Sequence, residues 1–201
     1  MKKYDWINIY NKKILLGNDY PWSDVVTNIS KFKLNKKLNF IEIGCGTGSN
    51  GLFVSRKHNY TGIDISNKII NKGKKKFSKV KNFTLIKSNL IDFNFDKKYD
   101  FLLDRFCLTH NSFKSSKKFI NKFENHSNGK KFYLGFFFKK KKKKKFIKLN
   151  SKIKIFTNFY NKKKIISLFS KKIKIIVYKD IKIYSMGNEE NSYIIFGCKI
   201  G

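Results

Sequence analysis

The chain has 201 residues, 41% of them hydrophobic, with 46 Lys and Arg against 13 Asp and Glu, a net charge of +33. Length and hydrophobic content imply one folded domain with a sizeable core and exclude an intrinsically disordered chain. The longest apolar runs, Phe136–Phe138 among them, are far too short to span a bilayer, and no apolar signal-peptide core follows the basic start Met1-Lys2-Lys3, so a cytoplasmic protein with no membrane span is expected.

A charge this high ordinarily points to a polyanion. Composition supplies a stronger explanation. The chain has no Ala, no Gln and one Pro, and is crowded with Lys, Asn, Ile and Phe, residues with A/T-rich codons; the run Lys139–Lys145 is that bias at its extreme. The run is expected to be a solvated loop, with only weak, non-specific nucleic-acid binding. Cys45, Cys107 and Cys198 have neither metal-ligand nor redox spacing, so free thiols in a reducing compartment and no metal site are expected.

Residues 1–37 read as a helical cap: short helices over Tyr4–Tyr10 and Ser23–Phe32, separated by the turn cluster Gly17–Pro21, with Ser23 as the cap of the second. A βα alternation then begins. Strands are predicted at Leu38–Ile43, Tyr60–Ile65, Phe83–Ile86, Tyr99–Leu103 and Lys131–Phe138, with helices at Ser49–Lys57, Asn67–Phe77 and Ser115–Asn125, the last stopped by Asn128-Gly129. Beyond the lysine run come a loop, a helix over Lys162–Phe169, and strands at Lys172–Lys179 and Ser192–Lys199. Alternating strands and helices predict an α/β fold with a largely parallel sheet covered on both faces. One domain over 1–201 is expected, with 38–138 as its cofactor-binding core and 139–201 as a substrate-side portion.

The strongest motif is Ile41-Glu42-Ile43-Gly44-Cys45-Gly46-Thr47-Gly48. Glycines there let the chain turn tightly at a strand's carboxyl end and let backbone approach a ligand with no Cβ in the way. Gly46–Gly51 also matches G-x-G-x-x-G, but the match starts two residues late for a dinucleotide loop. Glu42 is a poor neighbour for a pyrophosphate, and no Gly-Lys-Ser/Thr follows. The loop therefore suits a ligand without phosphates.

Glu42-x-Gly44-x-Gly46-x-Gly48 resembles motif I of class I S-adenosylmethionine-dependent methyltransferases, and Asp64, in Gly62-Ile63-Asp64-Ile65-Ser66, resembles their motif II acid. The resemblance implies a Rossmann-like seven-stranded mixed sheet with the last strand antiparallel, and S-adenosylmethionine as cofactor. It implies cofactor contacts from Glu42, Gly44, Cys45, Gly46, Gly48, Asp64 and Ile65. An ionised Asp64 has only acceptor sites and can take both ribose hydroxyl protons. Ser88-Asn89-Leu90 resembles the segment that meets adenine, with Asn89 where many members have Asp; a plain turn is the other reading of Asn89.

Asp104-Arg105-Phe106-Cys107-Leu108-Thr109-His110 resembles the family's motif IV, with Phe106 replacing the usual Gly. Asp104 is expected at the cofactor or in the catalytic set, or shaping the pocket through Arg105. His110 is the candidate general base, since a histidine's ordinary pKa lies near operating pH; a structural hydrogen bond is its alternative role. Tyr20–Val26 is similar to a segment of bacterial methyltransferases associated with surface-saccharide genes. The expected acceptor is accordingly a small molecule, a sugar or sugar precursor by preference. The alternatives are an RNA methyltransferase and a cofactor-binding protein with decayed catalysis, of which Phe106 would be a sign.

Overall fold

The computed structural model describes residues 2–3, 5–12, 17–126, 131–138, 146–150, 153–184 and 190–200; at 2–3, 138, 146–150, 153–154, 182–184 and 190–192 it describes the backbone only. Lys139–Lys145, Tyr4 and the predicted stop at Asn128-Gly129 lie outside the described residues.

In chain order the elements are β1 (Lys2–Lys3), α1 (Trp6–Asn11), α2 (Ser23–Ile29), β2 (Asn39–Ile43), α3 (Gly51–Val54), β3 (Asn59–Asp64), α4 (Asn67–Lys76), β4 (Phe83–Lys87), β5 (Phe101–Arg105), α5 (Phe113–His126), β6 (Lys131–Phe138), β7 (Phe146–Asn150), β8 (Ile153–Phe156), α6 (Lys162–Ile166), β9 (Ile173–Tyr184) and β10 (Glu190–Ile200). The main sheet has seven strands in the order β4-β3-β2-β5-β6-β10-β9. β2, β3, β4, β5 and β6 run parallel, while β10 is antiparallel to both β6 and β9. This is the mixed Rossmann-like sheet expected, with its last strand inserted antiparallel.

Strand alternation splits the core in two. Ile41, Ile43, Leu102, Phe132, Leu134, Phe136, Ile194 and Phe196 face Phe119, Ile120 and Phe123 of α5 and Ile165 of α6. Their neighbours Phe40, Phe101, Leu103, Tyr133 and Ile195 face Val25 and Ile29 of α2, Val54 of α3 and Ile70 of α4. Burial on both faces is why the central strands read as nearly unbroken apolar runs. Phe40 and Phe101 stack across the β2/β5 pair with centroids 4.4 Å apart.

The structure corrects several boundaries. β5 starts at Phe101 and runs to Arg105, so Asp104 and Arg105 belong to the strand, with Asp104 paired to Ile43, rather than to the segment after it. The helix expected over Ser49–Lys57 shrinks to Gly51–Val54, because the preceding residues are tight turns of the glycine loop. Ser23 is not a cap: the cap position is Trp22, and Ser23 is the first residue of α2, which stops at Ile29 before a 3-10 turn over Ser30–Phe32. α1 instead carries the side-chain cap, Asp5 accepting from the Asn8 amide at 2.7 Å. The loop expected after the lysine run contains β7 and β8, which with β1 make a separate three-stranded sheet, order β1-β8-β7.

Candidate active site

The site lies at the carboxyl edge of β2, β3, β4 and β5, where an open α/β sheet offers its crevice. Gly44, Gly46 and Gly48 all take positive φ (62°, 57° and 83°), but they do so for different reasons. A Cβ on Gly44 would meet Cys107 Cβ at 2.6 Å, and one on Gly48 would meet Leu85 Cδ2 at 2.8 Å and Phe83 Cζ at 2.9 Å. Those two glycines are required by packing. A Cβ on Gly46 would meet only the hydroxyl of Tyr10, at 3.6 Å, so this is the loop glycine that packing leaves free.

Asp64 ties the loop to β3. One carboxylate oxygen accepts from the Gly46 amide at 3.0 Å and the other from the Ser66 amide at 2.9 Å. Burial raises its pKa, and backbone hydrogen bonds from Ser66, Gly46 and Ile65 oppose the rise. A carboxylate has about four acceptor sites, so these bonds leave capacity for ligand hydroxyls. Cys45 is buried, and its backbone amide bonds to Ile63 O at 3.0 Å. Ile65, beside Asp64, is exposed, as is Ile91 after β4.

Glu42 points from β2 toward α3. Its carboxylate accepts from Asn50 Nδ2 at 2.7 Å and from the Tyr60 hydroxyl, and burial lifts its pKa to about 7 against the pull of those two bonds. Asn50 in turn accepts from the Trp22 amide at 3.0 Å. Glu42 thereby fastens the cap to the loop, and both its oxygens are spent inside the protein.

After β4, Asn89 Oδ1 accepts from the Ile91 amide at 3.2 Å, the turn arrangement that its sequence context allowed. Leu90 is buried in the α5-side core.

Asp104 is fully buried. It accepts from the Cys107 amide at 2.7 Å and the Leu108 amide at 3.4 Å, at the start of the 3-10 turn Leu108–His110, and burial holds its pKa well above the usual carboxylate range. Phe106 keeps the backbone of the glycine it replaces, φ 72°. Arg105 donates from Nε to both Asp24 oxygens (3.2 and 3.3 Å), and its guanidinium lies 3.5 Å from the centroid of the Trp22 ring. Tyr133 also donates to Asp24, at 2.9 Å.

His110 is half-buried. Its Nδ1 lies 2.8 Å from the carbonyl oxygen of Phe156, and burial lowers its pKa to about 4. Its ring meets Trp6 of α1 edge-on at 5.0 Å. Trp6 and Tyr10, which sequence reasoning did not select, close the crevice from above, and burial followed by the nearby charge of Asp64 raises the Tyr10 pKa. The remaining histidines stay apart: His58 bonds the Leu38 amide and His126 stacks on Phe95. Among the described residues no His, Cys, Asp and Glu cluster could hold a metal ion.

The methyltransferase-domain family matches residues 40–128, the stretch that runs from β2 through the glycine loop, Asp64 and His110. That match covers 89 of the chain's 201 residues. The methyl donor of the enzyme is S-adenosylmethionine, which the acid-flanked, phosphate-free glycine loop suits. Solved structures share the fold. An S-adenosylmethionine-dependent methyltransferase from Clostridium acetobutylicum is 17% identical, covering 96% of this chain and 97% of its own, with a TM-score of 0.66. One from Methanosarcina mazei is 16% identical over 86% of this chain and 97% of its own, TM-score 0.68. Magnesium protoporphyrin IX methyltransferase from Synechocystis, solved with bound S-adenosylmethionine, is 16% identical over 87% of this chain and 76% of its own, TM-score 0.63. No curated protein matches the chain by sequence. No described helix of the methyltransferase is long and apolar enough to cross a membrane.

Proposed function

We propose that the enzyme holds S-adenosylmethionine between the Gly44–Gly48 loop and Asp64 and moves its methyl group to a hydroxyl of a small-molecule acceptor lying beside His110. The observation that carries this reading is the pairing of Asp64 with Gly46: an acid at the tip of β3, bonded to the loop glycine at which a Cβ would meet no atom closer than 3.6 Å. Asp64 takes the ribose hydroxyls, and the exposed side chains of Ile65 and Ile91, at the ends of adjacent strands, take the flat base. Charge supports the assignment. Asp64, Glu42 and Asp104 gather around this loop in a chain whose net charge is +33, carboxyl groups that supply no countercharge for a pyrophosphate.

When bound, the cofactor supplies a methyl group on a sulfonium, a carbon already activated for in-line displacement. The protein's task is then alignment and acceptance of the acceptor's proton. A carbonyl oxygen only accepts, so the His110 Nδ1 facing Phe156 carries the ring proton and Nε2 is left as the basic nitrogen. A sugar or sugar precursor as acceptor draws support only from the resemblance of Tyr20–Val26. In the structure that segment packs on Arg105 through Trp22 and Asp24, and Asp24 also accepts from Tyr133.

The test is calorimetric titration of the purified protein with S-adenosylmethionine, S-adenosylhomocysteine and NAD. Binding of the first two, weakened roughly 10- to 100-fold by Asp64→Ala (about 1.5–3 kcal/mol for a hydrogen bond to a charged group), is expected. NAD binding without S-adenosylmethionine binding overturns the assignment.

A further inference from the structure

From the backbone strain at Phe106 and the row of rings it joins, we infer that the methyl acceptor is a planar aromatic compound carrying a hydroxyl, bound against Phe106, Phe137 and Tyr193. The inference rests on the methyl-transfer reading and names the acceptor class of the same site.

Phe106 is a bulky residue at φ 72°, a conformation in which side chains of its size are genuine outliers. Gly135 is the interior residue of β6 that faces it: a Cβ there would sit 2.9 Å from Phe106 Cε1. Glycine weakens a strand interior. Two local costs are thus accepted to seat one ring, and burial does not repay them in full, because Phe106 remains only half-buried. Strain of this kind persists where it serves a site.

The ring so placed belongs to a continuous series at the carboxyl edge of the sheet. Phe106 stacks on Phe137 with centroids 4.6 Å apart and meets Tyr193 edge-on at 5.3 Å. Phe137 lies 6.0 Å from His110, and His110 lies 5.0 Å from Trp6. Trp6 is 5.9 Å from Tyr10, the residue over Gly46. All of these rings are half-buried. The series therefore leads from the cofactor loop, past the candidate base, to a cluster of aromatic rings with the Arg105 guanidinium 4.7 Å from the Phe106 centroid.

The rings of Phe106 and Phe137 offer a hydroxyl no hydrogen-bond partner, and the Tyr193 hydroxyl is the one polar group of the three rings. A sugar brings several hydroxyls, and each one removed from water without a partner is costly. A planar ring gains from offset or edge-on contact with Phe106 and Phe137, and its single hydroxyl has a partner in His110. Acidity favours the same choice. The His110 ring is a weak base, with a pKa of about 4. A phenol ionises near pH 10, whereas an alcohol ionises near water's 15.7, beyond the reach of so weak a base.

The experiment uses full-length protein saturated with S-adenosylhomocysteine, titrated with 2-naphthol, catechol and 4-hydroxybenzoate and, in parallel, with glucose and rhamnose. Turnover of the same compounds is followed by S-adenosylhomocysteine release. Saturable binding and methylation of at least one aromatic probe, and of neither sugar, is expected. Phe106→Gly gives the backbone the residue it favours while removing the ring, and should raise the probe's Kd and KM at least tenfold with S-adenosylmethionine affinity unchanged. Phe137→Leu should act in the same direction. Failure of all three aromatic probes in a protein that binds S-adenosylmethionine, preference for a sugar, or an unchanged KM in Phe106→Gly overturns the inference and leaves methyl transfer standing. Failure to bind S-adenosylmethionine removes both.

Discussion

The ring proton of His110 is fixed by Phe156, whose carbonyl oxygen lies 2.8 Å from Nδ1. Because a carbonyl has no proton to give, the tautomer with a basic Nε2 is the one present. The segment after β8 holds the whole loop in the same manner: the Asn158 amide donates to Thr109 O at 2.6 Å and the Tyr160 amide to Phe137 O at 2.9 Å.

His110→Ala is expected to lower kcat about 10²- to 10⁴-fold, the range for a lost general base, with S-adenosylmethionine affinity little changed. The pH profile adds a second check. Burial lowers the His110 pKa from 6.5 to about 4, so the ring stays neutral across the physiological range and kcat should show no histidine limb between pH 5 and 8. Between those two pKa values the unfolded chain takes up a proton that the folded chain does not, so this group's contribution to stability is lost as pH falls from 6.5 toward 4. A kcat limb near 6.5 would overturn the lowered pKa, and unaltered turnover in His110→Ala would return the ring to a purely structural role.

The loop glycines should separate in mutagenesis. Gly46→Val places a β-branched side chain at φ 57° in the space that packing leaves free and is expected to abolish S-adenosylmethionine binding while thermal melting shows the fold retained. Gly48→Ala drives a Cβ against Leu85 and Phe83, and its chief effect is a lowered Tm. Cofactor affinity and Tm measured on both variants test the distinction; normal binding by Gly46→Val would show that the loop has been misassigned.

Much of this was legible in the sequence, and the exceptions share a cause. Ile41-Glu42-Ile43 followed by glycines fixes a strand end whatever lies around it, and Lys131–Phe138 falls on β6 residue for residue. Phe106 was legible only as a departure from the usual Gly; that it keeps a positive φ of 72° is a finding of the structure. His110's anchor was not legible, because Phe156 is 46 residues away and contributes only a main-chain carbonyl. Lysines hid β8, although Ile153-Lys154-Ile155 alternates with a strand's period. Trp6 and Tyr10 sit on a helix of six residues, and only tertiary placement over the loop gives them a role.

Glu42→Gln tests a buried carboxyl whose folded pKa, about 7, exceeds its ordinary 4.5. Between these values the folded chain holds a proton that the unfolded chain has released, so the group's stabilisation is complete below 4.5 and is lost as pH rises through 7. Gln keeps an oxygen for Asn50 and a polar partner for Tyr60 without the charge. Thermal melts at pH 5, 7 and 9 should therefore show the variant gaining on the parent as pH rises, with S-adenosylmethionine affinity little changed. A variant that loses ground with pH, or loses the cofactor, would place the charge of Glu42 at the ligand.

Asp104 is expected to act by position. Its carboxyl has no exposed surface and is spent on the amides of Cys107 and Leu108, which start the turn that carries His110. Asp104→Asn keeps an acceptor oxygen at the Cys107 amide, and because burial already opposes ionisation of the aspartate, losing the charge costs little. That variant should retain most of the parent's turnover. Asp104→Ala removes the acceptor for these amides, costing about 1–3 kcal/mol for a buried donor left unsatisfied, and loosens residues 106–111. Its kcat should fall while S-adenosylmethionine affinity changes little, since Asp64 and Gly46 lie on other elements. Steady-state kinetics on the two variants decide the matter. If Asn lowers kcat as far as Ala does, the carboxyl itself takes part in the reaction and Asp104 is a catalytic residue.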